Sequence, residues 1–151
     1  MNYQIIFDQT DESIFKNRYV GCLVLTQDQK ILLQQRGLDW PTFPGYLAEF
    51  GGKIEANETP TQAITRELNE ELGASVNEAD LLNLGAVTEE MSKHTELIYV
   101  YFWHDKQGTI TGCYEGEAKY FDNVNAILKN SNITDGLRWL LVECQNRGLI
   151  K

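Results

Sequence analysis

The stretch Gly51-Gly52-Lys53-Ile54-Glu55-Ala56-Asn57-Glu58, continued by Thr59 through Ala74, decides the reading of this chain. Its pattern is G-x5-E-x7-R-E-U-x-E-E-x-G, where U is aliphatic and Gly52, Glu58, Arg66, Glu67, Leu68, Glu70, Glu71 and Gly73 hold the fixed places. Thr59 is a good N-cap, Pro60 suits the first helical position, and Gln62 stands three residues on to close a capping box. Gly73 is placed to stop the helix. The spacing predicts a helix over 60–72, about 20 Å long. On it Glu67, Glu70 and Glu71 are neighbours on one face, and Ile64, Leu68 and Leu72 make an adjacent apolar stripe. The carboxylates therefore border the buried face. Like charges this close repel and raise at least one pKa. A divalent cation removes that penalty, and an all-carboxylate donor set suits hard Mg²⁺ or Mn²⁺ rather than zinc. Mg²⁺ takes only one or two protein carboxylates, so three imply more than one metal when substrate is present. The plainer alternative is a solvated acidic helix face.

Working outward, the segment upstream reads as strands. Tyr3–Phe7 is an edge-strand candidate, Arg18–Thr26 a buried strand, and Lys30–Gln35 the returning arm of a hairpin that ends at Arg36. Gly37–Tyr46 is an aromatic loop. Trp40 and Phe43 in it are either a core lid or a platform for a nucleobase. Leu47–Phe50 is expected as a strand leading into the two glycines, which allow close backbone approach. A carbonyl there can serve a metal, and Lys53 offers a point charge for phosphate. An exposed lysine is the plainer reading.

Downstream, Leu81–Glu89 and Glu96–His104 read as strands, the second central and two-sided, with a loop over Thr88–His94 between them. Thr109–Tyr114 and Ala118–Phe121 are further strand candidates. Asp122 is expected to cap a short helix over Asn123–Asn130, and Thr134 a last helix over 135–147 with Leu137, Leu140, Leu141 and Cys144 inward. His94 and His104 read as strand-end or surface residues. The order of elements is that of an α/β mixed sheet covered on both faces.

At 151 residues the chain reads as one domain, 1–151. No apolar run suits a membrane span, and Met1–Phe15 lacks the features of a secretory signal. The three cysteines, Cys22, Cys113 and Cys144, lie in apolar segments without a C-x-x-C pair, as in a reduced, cytoplasmic protein. A net charge of −9 makes a nucleic acid polymer a poor partner. A small phosphorylated ligand remains compatible, because bound metal reverses the field locally.

The 52–74 pattern resembles the Nudix box, with Ala74 in its last aliphatic place. The resemblance implies the Nudix fold, an α/β/α sandwich with a mixed central sheet. It implies hydrolysis of a nucleoside diphosphate linked to another moiety, with Mg²⁺ or Mn²⁺. By carry-over, Glu67, Glu70 and Glu71 match metal ligands, Gly51 the carbonyl ligand, Arg66 the arginine that orients a glutamate, and Glu58 a structural acid. Glu67 is one candidate general base. A glutamate of a later loop is another, with Glu115 favoured over Glu117 as extra ligand or base. Arg36 matches a phosphate contact. Signatures of the coenzyme A and NADH types are absent, which leaves the MutT-like group and nucleoside triphosphates; there a polar residue near the last helix reads the base, and Asn132 lies in that region. A nucleotide-sugar hydrolase and a non-catalytic nucleotide-binding regulatory module are the alternatives. A homodimer through the N-terminal strand is compatible with this reading.

Overall fold

The computed structural model describes residues 3–6, 15–89, 93–130 and 132–151. Helix α1 spans Pro60–Leu72, the bounds its capping residues dictate. The Thr59 hydroxyl accepts from the Gln62 amide at 3.1 Å, and the Gln62 side chain accepts from the Thr59 amide at 3.0 Å, so two orphan donors are satisfied reciprocally. Gly73 closes the helix in the left-handed conformation, with φ of 64°.

The strands are β1 (Tyr3–Ile6), β2 (Asn17–Leu25), β3 (Ile31–Gln35), β4 (Leu47–Ala48), β5 (Phe50–Lys53), β6 (Leu82–Glu89), β7 (Glu96–His104) and β8 (Glu117–Phe121). Two more helices follow, α2 (Val124–Leu128) and α3 (Asp135–Asn146). The strands form one mixed sheet in the order β1-β6-β7-β2-β3-β4, with β5 on β2 and β8 on β3. The β2–β7 pair is parallel and the others are antiparallel.

Alternation along the central strands builds two cores. Val20, Cys22 and Val24 of β2 and Tyr101 and Trp103 of β7 meet Ile64, Leu68 and Leu72 of α1 on one face. Leu23 and Leu25, with Val100 and Phe102, meet Leu137, Leu140 and Leu141 of α3 and Val124 and Ile127 of α2 on the other. The architecture is thus the α/β/α sandwich with a mixed central sheet. Among the described residues no helix is long and apolar enough to cross a membrane.

Three departures from the sequence reading bear on the site. First, the β2–β3 hairpin arms pair only at Val24–Leu32 and Leu25–Ile31 and then splay. The 47–53 stretch fills the gap. Its first part pairs with β3 at Leu47 and Ala48, its second with β2 from Phe50 to Lys53, and Glu49 is where it changes partner. Gly51 and Gly52 therefore lie inside a ladder rather than after one.

Second, Thr109–Tyr114 is not a strand. The buried Asp105 carboxylate accepts from the Thr109 amide (2.9 Å), the Thr109 hydroxyl (3.1 Å) and the Ile110 amide (3.1 Å). The next amides go to the end of α1, Thr111 to the Leu72 carbonyl at 2.9 Å and Tyr114 to the Glu71 carbonyl at 2.8 Å. Donors spent on helix carbonyls cannot form a sheet ladder.

Third, α2 is shorter than expected and is capped by Asn123, whose side chain accepts from the Ala126 amide at 2.9 Å. Asp122 pairs with Lys30 instead. Strand β6 ends at Glu89 as expected, so Thr88 and Glu89 belong to it and not to the loop, and a smaller difference is a 3-10 turn at Glu78–Asp80. Phe7 of the expected first strand and part of the Thr88–His94 loop lie outside the described residues.

Because one carboxylate holds the turn that leads to Glu115, Asp105→Ala should lower stability by about 3 kcal/mol. It should also speed hydrogen exchange at the Thr111 and Tyr114 amides more than at β7. Chemical denaturation and exchange followed by NMR measure both.

Candidate active site

The site forms where α1 lies across the end of the β2–β5 ladder. A Cβ on Gly51 would come 2.0 Å from the Val20 carbonyl oxygen, and one on Gly52 would come 2.4 Å from Glu67 Oε1. Gly51 therefore requires glycine, so that β5 can close on β2, and the missing side chain of Gly52 leaves the room that the Glu67 carboxylate occupies. Glu71, 3% exposed, accepts from the Gly51 amide at 3.1 Å through Oε2.

Arg66 organises the rim. It binds Glu58 with two nitrogens at 2.8 and 2.9 Å, Glu67 at 2.8 Å and Glu70 at 3.3 Å. It also donates to the Lys53 carbonyl at 3.1 Å. Hydrogen bonds from Arg66, and then the Glu55 amide, hold the Glu58 carboxyl down at about 2. The fork-on-carboxylate geometry explains the strength of that pair.

Glu71 is the opposite case. Burial first, and then the nearby Glu115 and Glu67 charges, push it up to about 9, against a weaker opposing effect of the Gly51 amide. Burial also raises Glu67, although Arg66 opposes the shift. Glu115 is brought here by the loop that replaces the expected strand. Its carbonyl is tied by Gln34 Nε2 at 2.8 Å and by Cys113 Sγ at 3.2 Å.

The carboxylates open into a cavity of about 680 Å³ lined by Gly51, Gly52, Lys53, Arg66, Glu67, Glu70 and Glu115 among others. A second cavity of about 410 Å³ shares Gly51, Gly52 and Glu115 with it. It passes Arg36, Phe43, Glu49 and Glu71 to a wall of Tyr19, Gly21, Glu89, Glu96, Ile98 and Thr134. The two adjoin at these shared residues. The donors are all hard oxygens suited to Mg²⁺ or Mn²⁺. Among the described residues no three acidic, histidine or cysteine side chains converge as a metal-holding group. The reason lies in their partners: Glu67 and Glu70 are turned to Arg66, and Glu71 to the Gly51 amide.

The remaining candidates divide. Arg36 and Phe43 line the second cavity, but the Arg36 guanidinium is engaged within its own loop. It donates to the Thr42 carbonyl and hydroxyl, both at 2.9 Å, and sits 4.6 Å from the Trp40 ring centroid. Trp40 lines a separate outer hollow with Gly116 and Glu117. Glu117 itself pairs with Lys119 at 3.2 Å. Asn132 is exposed and lines neither cavity, whereas Thr134 two residues on lines the second.

The sequence reading missed Glu49, Glu89 and Glu96. Burial, with the Glu49, Asp135 and Glu96 charges, pushes Glu89 up to about 7. Burial likewise raises Glu49, against weaker opposing effects of its own backbone amide and then of Arg36. The one sequence signal for Glu49 was a charge set in the apolar run Leu47-Ala48-Glu49-Phe50.

The NUDIX domain family model matches residues 16–140. The chain belongs to the NUDIX family. It is 40% identical over 62 residues to an 8-oxo-dGTP diphosphatase of Proteus vulgaris, covering 40% of this chain and 54% of that protein. It is 33% identical over 94 residues to a CTP pyrophosphohydrolase of Escherichia coli K12, covering 60% of this chain and 65% of that one. The NUDIX chain thus spans between half and two thirds of the length of these two curated relatives. A MutT protein structure from Methanosarcina mazei Go1 superposes with a TM-score of 0.71 at 19% identity, covering 87% of this chain and 94% of that one. This last likeness is one of fold.

Glu71 gives a pH test of the crowding. Its folded pKa of about 9 lies above its ordinary value of 4.5. The stability tied to its neutral form is therefore complete below the ordinary value and is lost as pH rises toward the folded one. Glu71→Gln does not titrate. Without added metal it should melt above the native protein at about pH 8, and the gap should close near about pH 5.

Proposed function

We propose that this NUDIX chain is a metal-dependent pyrophosphohydrolase. It cleaves a nucleoside triphosphate, or another nucleoside diphosphate derivative, by attack of water on the phosphate chain. The observation that carries this is a buried Glu71 on which the Glu115 and Glu67 charges act, beside the edge that the two cavities share. A chain already at net charge −9 gains nothing in stability from gathering further negative charge there. Such an arrangement is explained by a cation it is built to receive.

Glu67, Glu70, Glu71, Glu115 and the Gly51 carbonyl would hold Mg²⁺ or Mn²⁺. The bound ion would neutralise the phosphate chain, polarise the attacked phosphorus and lower the pKa of water. Arg66 orients Glu67 and Glu70, which it now binds. Its own position is set by Glu58, so the orientation costs little further entropy. Lys53, on the wall of the first cavity, gives a point charge to the phosphates. Arg36, at the second, is released from Thr42 to do the same. Glu115, whose charge acts on Glu71, would take the proton of the attacking water at its carboxylate. The second cavity receives the nucleoside, with Phe43 against the base. The names of the two relatives support triphosphates as the substrate class. The acidic surface favours a small molecule over a nucleic acid polymer.

A panel of nucleotides incubated with Mg²⁺ and scored for phosphate and pyrophosphate tests this directly. Turnover should vanish with chelator, and Glu70→Gln and Glu71→Gln should each lose at least about a hundredfold in kcat/KM. Mg²⁺ should raise the melting temperature of the native protein more than that of Glu71→Gln. Tight nucleotide binding without any product in the presence of metal would overturn the enzymatic reading.

A further inference from the structure

Among the described residues, Glu49 Oε2 is the one buried side-chain oxygen or nitrogen without a hydrogen-bond partner. Native interiors rarely leave such an atom unsatisfied, and the exceptions usually await a ligand, a water or an ion. Glu49 sits at the point where the chain leaves β3 for β2, and its neighbour Phe50 faces α1. Glu49 therefore points to the opposite side of the sheet, into the second cavity.

Space for it is provided on β2. A Cβ on Gly21 would lie 3.3 Å from Glu49 Cγ and 3.5 Å from Oε1. Gly21 is held in the ladder on both sides, by Gly51 and by Val100. The carboxyl is thus seated on rigid backbone, which is what a specificity contact needs. The same wall carries Tyr19, Glu89 and Glu96. Ionised, these carboxyls offer a ligand only acceptors.

Resting on the nucleotide reading above, we infer that Glu49 is a specificity-determining residue that accepts a hydrogen bond from the base, selecting a guanine-type edge. A uracil-type edge offers one N–H between two carbonyl oxygens, and those oxygens would face carboxylates. An adenine-type edge offers its amino group beside a bare ring nitrogen. A guanine-type edge presents a ring N–H and an adjoining amino group, two donors side by side, and leaves no acceptor against the wall. A site built to bond a donor rejects the analogue that lacks it, because its own oxygen is then left unpaired.

Guanosine and inosine triphosphates differ only in that amino group, so their kcat/KM ratio is the readout. The native protein should prefer guanosine by about tenfold to a hundredfold. Glu49→Gln should bring the ratio to within about threefold. Gly21→Ala, which crowds Glu49 without changing its charge, should lower the ratio too and serves if Glu49→Gln does not fold. Calorimetric binding of guanosine and inosine monophosphates gives the same comparison without turnover. If no triphosphate is hydrolysed, the hydrolase reading fails, and the monophosphate ratio still judges Glu49. A native preference absent in both assays, or one that both variants retain in full, would overturn the inference.

Discussion

The contact of Glu71 with the Gly51 amide is the constraint on which the molecule's arrangement depends. A carboxyl 3% exposed is set against strand backbone, next to two further carboxyls, on a helix whose other face fills a core. Burying such a group is costly unless its oxygens find donors. Here one backbone amide supplies a partner. Gly51, lacking a side chain, lets β5 close on β2 beneath it, and Leu68 and Leu72, fully buried, press α1 onto the sheet.

The surrounding structure answers to that contact. β2 must be free of β3 along half its length so that β5 can bring the glycines beneath α1. The splayed hairpin and the partner change at Glu49 achieve this. The end of α1 must be held, and the 105–114 loop does so with its amides while carrying Glu115 to the cleft. Arg66 draws Glu58, Glu67 and Glu70 into one network at the rim. A single guanidinium with several carboxylates loses little extra entropy for each additional bond, which separates this cluster from isolated surface pairs of small worth.

The two cavities then divide the work of recognition. One is edged by Lys53, Arg66 and the α1 acids, a setting for phosphate and its counter-ions. The other lies across the sheet, with an aromatic side chain at Phe43 and an acidic wall. Their shared edge at Gly51, Gly52 and Glu115 is where charge and shape meet. The outer aromatic, Trp40, instead stiffens the 37–46 loop by stacking under Arg36.

Much of this was legible without coordinates. Local signals act within a few residues, so Thr59, Pro60, Gln62 and Gly73 defined α1 to the residue. Periodicity likewise marked β2, β6, β7 and α3, and the spacing of Glu67, Glu70 and Glu71 implied a shared face. What sequence could not decide was where non-local partners would send backbone and side chains. Thr109–Tyr114 has the composition of a strand, but its amides are claimed by Asp105 and by the end of α1. Leu47–Phe50 reads as one strand, yet the gap between β2 and β3 makes it serve two. Glu49 is a lone charge in an apolar run, and only the sheet pairing lays its side chain over Gly21 and on the second cavity. Hydrogen-bond partners and burial across long sequence distances belong to the assembled sheet, and only the tertiary structure supplies them.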